Sequence, residues 1–315
     1  MSKSLFIVNP NSGGGKTGRT WDEIKRVIER RLGGFDVVMT ERSGHASTIA
    51  EEEARKGRTT IVAVGGDGTL SECTDGVLRA GAGRKVALGL LGQGTGGDFR
   101  KTLGFEHRLD AYVDALHERN IKSVDAGRAR FKGNDGKDRE RYFINILSAG
   151  MGGLVDGHVS RASRALGGTA AYFVSSLRAL VEIVPGKLRC TVTHDGKDRE
   201  ERITSFMFAI CNGQFFGSGM HVAPMAKLDD GVFEIVSMDA PNKAAFALNS
   251  QAIYKGAHLG KKGVVHFPCS KIRIDLENEE ARKTFLLDVD GEPFGGLPLE
   301  VEMLPGALRL IAPSA

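Results

Sequence analysis

Long apolar runs are missing from this chain of 315 residues. The run Leu5-Phe6-Ile7-Val8 stops at Asn9-Pro10, too short for a signal-peptide core, and no stretch approaches the roughly 18 apolar residues of a membrane span. A cytoplasmic protein that does not cross a membrane is expected. Cysteine is scarce, and Cys73, Cys190, Cys211 and Cys269 form neither CxxC pairs nor a disulfide framework. That spacing argues against structural zinc and for a reducing compartment. Charge of one sign is also lacking: a net +4 is far from the basic stripe of a nucleic-acid binder, so nucleic acid is not an expected partner. No internal repeat suggests a solenoid.

Glycine, by contrast, is abundant. Its 42 copies are about twice ordinary usage and sit in short clusters at 13–15, 65–68, 92–97, 150–153, 167–168, 217–219 and 295–296. Clusters of that kind mark tight turns or close approaches of backbone to a ligand. The length allows one large domain or two.

The first 125 residues alternate strand-like and helix-like segments, the mark of a mostly parallel α/β sheet. Strands are predicted at 5–8, 35–39, 60–64 and 86–91, and helices at 18–31, 45–57, 70–79 and 109–119. Beyond Asp125 short apolar runs joined by polar turns predict an antiparallel β-rich region, with strands at 141–148, 188–194, 201–211, 231–238, 264–267, 271–276, 284–289 and 299–303. One helix is expected at about 160–183, with Phe173, Leu177, Leu180 and Val184 at helical spacing.

The strongest motif is the strand Ile61–Val64 running into Gly65-Gly66-Asp67-Gly68-Thr69 and then a helix from Leu70. A strand, a glycine turn and a helix N-terminus gather unpaired N–H groups where the helix dipole favours an anion, so phosphate is the expected ligand. Thr69 and Glu72 have capping-box spacing. Asp67 is the one carboxylate in the turn, suited to holding Mg2+ or accepting a proton. A second turn, Gly92-Gln93-Gly94-Thr95-Gly96-Gly97-Asp98, follows the next strand and would face the same crevice. The segment Asn9-Pro10-Asn11-Ser12-Gly13-Gly14-Gly15-Lys16-Thr17 ends like a P-loop, but Pro10 stands where the first glycine should be. Pro has no N–H to offer phosphate, so a looser phosphate-facing loop with Lys16 as a charge partner is preferred. Asp230-Gly231 and the acid-rich segment Asp288-Val289-Asp290-Gly291-Glu292 complete the candidates; solvated turns are the bland alternative for both. Asp288 and Asp290 share one strand face.

These segments, in this order, resemble the diacylglycerol kinase and sphingosine kinase superfamily, particularly its bacterial soluble lipid kinases. The matching residues are Asn9-Pro10-x-Ser12-Gly13, Gly65–Thr69, Gly94-Thr95-x-x-Asp98-Phe99, Phe143-x-Asn145 with Gly150, Asn212-Gly213 through Pro224 to Asp230-Gly231, and Asp290-Gly291-Glu292. The resemblance implies an α/β nucleotide-binding domain (1–125 plus about 304–315) followed by an antiparallel β-sandwich domain (126–303), with ATP in the crevice between them. It implies ATP contacts from Asn9, Pro10, Asn11, Ser12, Gly13, Lys16, Thr40, Val64, Gly65, Gly66, Asp67, Gly68, Thr69, Leu70, Gly94 and Thr95. It further implies Mg2+ at Asp230 with carbonyls around Lys227 and Val232, and catalysis by Asp67 with Asp290 or Glu292 as base. Two departures stand out: Gly97 replaces the usual Asn, and Ser218 interrupts the usual Gly-Gly-Gly.

The expected reaction is therefore transfer of the γ-phosphoryl group of ATP to a lipid hydroxyl, with diacylglycerol the default acceptor and ceramide or a sphingoid base the alternatives. A soluble-substrate kinase of the NAD kinase type and a non-catalytic nucleotide or lipid sensor are the competing readings. The segment 165–184, flanked by Arg161, Arg164, Arg178, Lys187 and Arg189, lines a lipid entry, touches the inner membrane face, or packs as a core helix. A homodimer is left open.

Overall fold

The computed structural model describes residues 3–94, 96–133, 135–161 and 168–314. The chain divides into two compact units, Met1–Ala126 with Pro305–Ala315, and Gly127–Leu304.

In the first unit strands and helices alternate: β1 (Leu5–Val8), α1 (Lys16–Leu32), β2 (Asp36–Met39), α2 (His45–Arg55), β3 (Thr60–Gly65), α3 (Asp67–Arg79), β4 (Ala87–Gly92), α4 (Asp98–Leu103) and α5 (Leu109–Glu118). β1 pairs in parallel with β2 and β3, and β3 with β4. The chain ends as a further parallel strand, Arg309 and Leu310 lying beside Ala87 and Leu88. Every residue of β1 and β3 is buried, which is why both read as unbroken apolar runs rather than alternating ones. Because β1 lies between β2 and β3, the chain crosses to opposite sides of β1 in succession, and the loops leaving β1 and β3 open onto one switch point.

Three features differ from expectation. α3 starts at Asp67, three residues before Leu70. The Thr69/Glu72 capping box does not form, because Glu72 turns away and its carboxylate accepts the Gly44 and Ala46 N–H groups at 2.8 and 2.9 Å, closing the N-terminus of α2 instead. α4 is a short added helix opened by Gly97.

The second unit holds β5 (Ile121–Lys132, which begins in the first unit), β6 (Asp138–Phe143), β7 (Ile146–Gly150), α6 (Met151–Arg161), α7 (Gly168–Glu182), β8 (Gly186–His194), β9 (Lys197–Ser205) and β10 (Met207–Cys211). It continues with β11 (Phe215–Phe216), β12 (Met220–His221), β13 (Phe233–Met238), α8 (Lys243–Ser250), β14 (Val264–Cys269), β15 (Lys271–Leu276), β16 (Leu287–Val289) and β17 (Glu292–Ile311). One antiparallel array runs β14-β13-β10-β7-β16-β17, and β9-β8-β15 joins β17 from its other side. The core between these strands is built on Phe143, Phe208, Phe233, Phe285 and aliphatic residues, with Phe143 stacked on Phe233 at 5.6 Å. Within the helix expected at 160–183, α7 covers 168–182, and residues 162–167, with Arg164, lie outside the described set; α6, which ends at Arg161, begins nine residues before the expected start. The strand expected at 141–148 is also two, broken between Phe143 and Ile146. No helix among the described residues is long and apolar enough to cross a membrane.

Candidate active site

Three glycine-containing turns interlock beyond the C-terminal ends of β1, β3 and β4. The Asn9 N–H donates to Val64 O at 2.9 Å, and the Asn9 amide to Thr69 Oγ1 at 3.3 Å, tying the first turn to the second. The Gln93 N–H donates to Gly65 O at 2.7 Å, tying the second to the third. Glycine is required where the turns touch. A Cβ on Gly94 would lie 2.7 Å from Gly66 Cα, and one on Gly13 2.7 Å from Gln93 O, both against backbone that cannot step aside. Gly13, Gly14 and Gly15 have φ of 60°, 66° and 81°, the left-handed region that glycine enters without cost. Asn11 and Lys16 are exposed on this loop, the Asn11 N–H bonding Asn9 Oδ1, while Thr17 Oγ1 fastens the loop to Ser12 O. Pro10 packs against Gly18 and gives its carbonyl to that residue's N–H. The loop is thus not a P-loop. Thr40 is buried at the end of β2, its N–H on Val8 O.

Asp67 stands in the first turn of α3, where its Oδ2 accepts the Asp98 N–H at 2.7 Å. The carboxylate therefore bridges the N-termini of α3 and α4, both favourable to negative charge. Around it lie Tyr112, pushed up to about 12 mainly by burial, and His107, held below its usual range by burial and by Arg100 and Lys16. His107 Nδ1 is 3.2 Å from Tyr112 OH. Gly97 has φ 60°, a conformation asparagine also tolerates, but a Cβ there would lie 2.9 Å from Arg100 Nε. The Arg100 side chain thus fills the place a larger residue would take. Of the expected nucleotide contacts, Asn9, Pro10, Asn11, Ser12, Gly13, Lys16, Thr40, the 64–70 turn and Gly94 fall on this one edge of the sheet; Thr95 lies outside the described residues.

Asp290, Glu292, Lys227, Asp230 and Val232 belong to the second unit. Asp290 has φ 51° and spends its carboxylate on backbone: Oδ1 accepts from Asn145 N and Ile146 N at 3.0 Å each, and Oδ2 from Ile144 N at 3.2 Å. The same break between β6 and β7 is locked from the other side. Asn212 N and Gly213 N both donate to Asn145 O, Asn212 Nδ2 to Ile144 O, and Asn145 Nδ2 to Phe215 O. The two asparagines are thus bracing for the Asp290 turn. Glu292 accepts from Arg141 at 3.4 Å. Asp230 is exposed, and its Oδ1 accepts the Val232 N–H at 3.3 Å in an Asx turn. No group of three or more His, Cys, Asp or Glu suited to a metal gathers among the described residues. A carboxylate with carbonyls is nevertheless an all-oxygen donor set, the type a hard cation takes. Ser218 has φ 66°, so the serine in the Gly217–Gly219 turn does sit in the left-handed region.

One pair of acids escaped the sequence reading. Asp288 on β16 is fully buried, accepts Ser148 Oγ at 3.3 Å, and shares a hydrogen bond with Asp156 of α6. Burial raises Asp156 to about 7; burial first, then Asp156 and Asp290, push Asp288 well above the ordinary carboxyl range. Two carboxyls this close hold a proton between them. A lone Asp in the glycine-rich start of α6 gave no signal of it.

A parallel α/β unit with phosphate-type turns at its switch point, followed by a β-sandwich unit, is the architecture of a nucleotide-using phosphotransferase. Residues 3–129 match the diacylglycerol kinase catalytic domain, and residues 145–312 match the YegS C-terminal NAD kinase beta sandwich-like domain. The chain belongs to this family of lipid kinases. It is 30% identical over 280 residues to a YegS-like protein of Chromohalobacter salexigens assigned as a lipid kinase, covering 88% of this chain and 83% of that one. Over 309 residues it is 27% identical to the diacylglycerol kinase of Staphylococcus haemolyticus, covering 98% and 87%. A Bacillus anthracis crystal structure assigned as a diacylglycerol kinase superposes with a TM-score of 0.74 at 25% identity, covering 99% and 97%.

Proposed function

We propose that this kinase transfers the γ-phosphoryl group of ATP to a lipid hydroxyl, with diacylglycerol as acceptor. The interlocked main-chain turns of Asn9–Gly15, Gly65–Thr69 and Gly92–Gly94 carry the nucleotide part, because they can bring backbone N–H groups and a helix N-terminus to phosphate with no side chain in the way. Relatives named diacylglycerol kinase support diacylglycerol as the acceptor.

In phosphoryl transfer most of the catalytic work is positioning and charge neutralisation. Ser12 to Lys16 and Gly65 to Leu70 hold the phosphates, and Asp67, fixed by the Asp98 N–H, sets the charge at their edge. Mg2+ would be held by Asp230 with the carbonyls of Lys227 and Val232, an all-oxygen set suited to a hard cation, and a catalytic Mg2+ acting with Asp67 would supply positive charge for phosphoryl transfer. The Asp290-Gly291-Glu292 segment supplies the base that takes the hydroxyl proton, Asp290 or Glu292: Asp290 is held by three N–H groups, and Glu292 lies 3.4 Å from Arg141. Labelled-ATP transfer to diacylglycerol, ceramide, a sphingoid base and NAD, each tested separately, checks the assignment. Label in diacylglycerol that disappears in Asp67→Asn at unchanged melting temperature is the expected result. Label in NAD alone, or full activity in that variant, would refute it.

A further inference from the structure

Arg100 carries a charge that no described carboxylate pairs with. Its neighbour Lys101 is held 2.9 Å from Asp98 Oδ1, and Arg108 is paired with Glu106, but Arg100 has no such partner among the described residues. The guanidinium is half-buried. Its Nη1 donates to Phe105 O at 2.8 Å, while its Nε, buried and 2.9 Å from where a Cβ on Gly97 would lie, meets no acceptor among the described residues. An arginine stays charged at every pH the fold survives and presents its N–H groups as a rigid fork. A buried donor left unused, on a cation left unpaired, is destabilising, and a ligand that takes both explains it.

The neighbours of Arg100 place this charge at the Asp67 edge of the site. Tyr112 feels Arg100 and Asp67 together, and its OH lies 3.2 Å from His107 Nδ1. His107 in turn is held below its usual range by burial first, then by Arg100 and by Lys16. The ring is therefore neutral at pH 7 and keeps one N–H to donate. Lys16, at the start of α1, forms no ion pair among the described residues either. Two cations from separate segments thus converge on one imidazole. Like charges brought together in this way repel each other, and a polyanion between them turns the repulsion into attraction.

We propose that Arg100 binds the terminal phosphates of the nucleotide from the α4 side, while Lys16 approaches them from the α1 side. The fork of Nε and the remaining Nη donors fits the oxygens of a phosphate. A guanidinium that only caps α4 through Phe105 O would leave both the buried Nε and the charge unused. Terminal phosphates are indicated because Arg100 shares Tyr112 with Asp67, the carboxylate set at the edge of the transferring group. The inference rests on the nucleotide reading of this edge and adds a binding residue to it.

Binding of ATP and of AMP to the full chain, with Mg2+ and without lipid, is measured by isothermal titration for wild type, R100Q and R100K, together with the melting temperature of each. R100Q is expected to bind ATP about tenfold more weakly and AMP as wild type does, since AMP lacks the phosphates that Arg100 holds. R100K, which keeps the charge without the fork, is expected to fall between wild type and R100Q. R100M, which keeps the stem against Gly97, replaces R100Q if R100Q melts early. Undiminished ATP affinity in R100Q overturns the proposal. So does an equal loss for ATP and AMP, which would assign Arg100 to the fold or to the nucleoside. An R100K that binds ATP no better than R100Q also overturns it, because the charge would then not be what is lost. A wild type that binds neither nucleotide would instead overturn the nucleotide reading of the edge.

Discussion

Replacing Asp156 by asparagine should remove the share of the second unit's pH dependence of stability that Asp156 itself carries, leaving the share that burial of Asp288 carries. In the folded protein Asp156 keeps its proton up to about pH 7, whereas its unperturbed value is 3.8. Between those limits the folded state holds a proton that the unfolded chain has released, so stability falls as pH rises and is lost by about pH 7. A change from pH 5 to pH 8 spans about two pH units of that window, which corresponds to roughly 3 kcal/mol at 1.4 per unit. Asp156 is partly exposed, so this is an upper figure. The asparagine side chain has no proton to lose, can still donate to Asp288, and removes the charge that helps raise Asp288. Urea unfolding followed by far-UV circular dichroism, at these two pH values, measures the difference. The variant should be the more stable protein at pH 8 and little changed at pH 5. Equal pH slopes in wild type and variant would show that the two acids do not hold a shared proton.

Asp290→Ala strands three buried N–H groups, each costing about 1–3 kcal/mol, and should lower the melting temperature severely; Asp290→Asn, which keeps one acceptor oxygen and tolerates φ 51°, should lose less. Gly94→Ala drives a methyl into Gly66 Cα, and strain of about 1–3 kcal/mol in the turn should weaken ATP binding about tenfold or more by isothermal titration while leaving the fold intact. Gly97→Asn should be tolerated to within about 1 kcal/mol, because its Cβ meets only the flexible end of Arg100; a thermal shift comparison decides it.

The parallel sheet was legible because β1 and β3 are buried on both faces and therefore read as Leu-Phe-Ile-Val and Thr-Ile-Val-Ala-Val. The glycine turns were legible for a related reason: close backbone approach leaves glycine as its trace. What misled was chemistry with more than one use for the same residue. Thr69 and Glu72 had capping spacing, yet Glu72 served another helix. Asp290 read from sequence as a candidate base, and the three N–H groups it accepts, which tie it to the break between β6 and β7, left no trace in the spacing. Asn145, which interrupts an otherwise continuous strand pattern, acts through its backbone and amide on segments some 70 residues away, a distance at which spacing carries no signal. Asp156 met Asp288 only through packing of α6 on β16.

The three interlocked turns give the nucleotide edge an unusual response to sequence change. Its contacts with one another run through Gln93 N, Gly65 O, Asn9 N and Val64 O, atoms that every residue but proline supplies. Trimming side chains other than Asn9, Asp67 and Thr69 removes little, whereas adding a single carbon at Gly13 or Gly94 strikes the opposing turn. In a saturation library its glycines would stand out as the inverse of a packed core: intolerant of larger residues, and registered by alanine scanning because alanine is itself the enlargement.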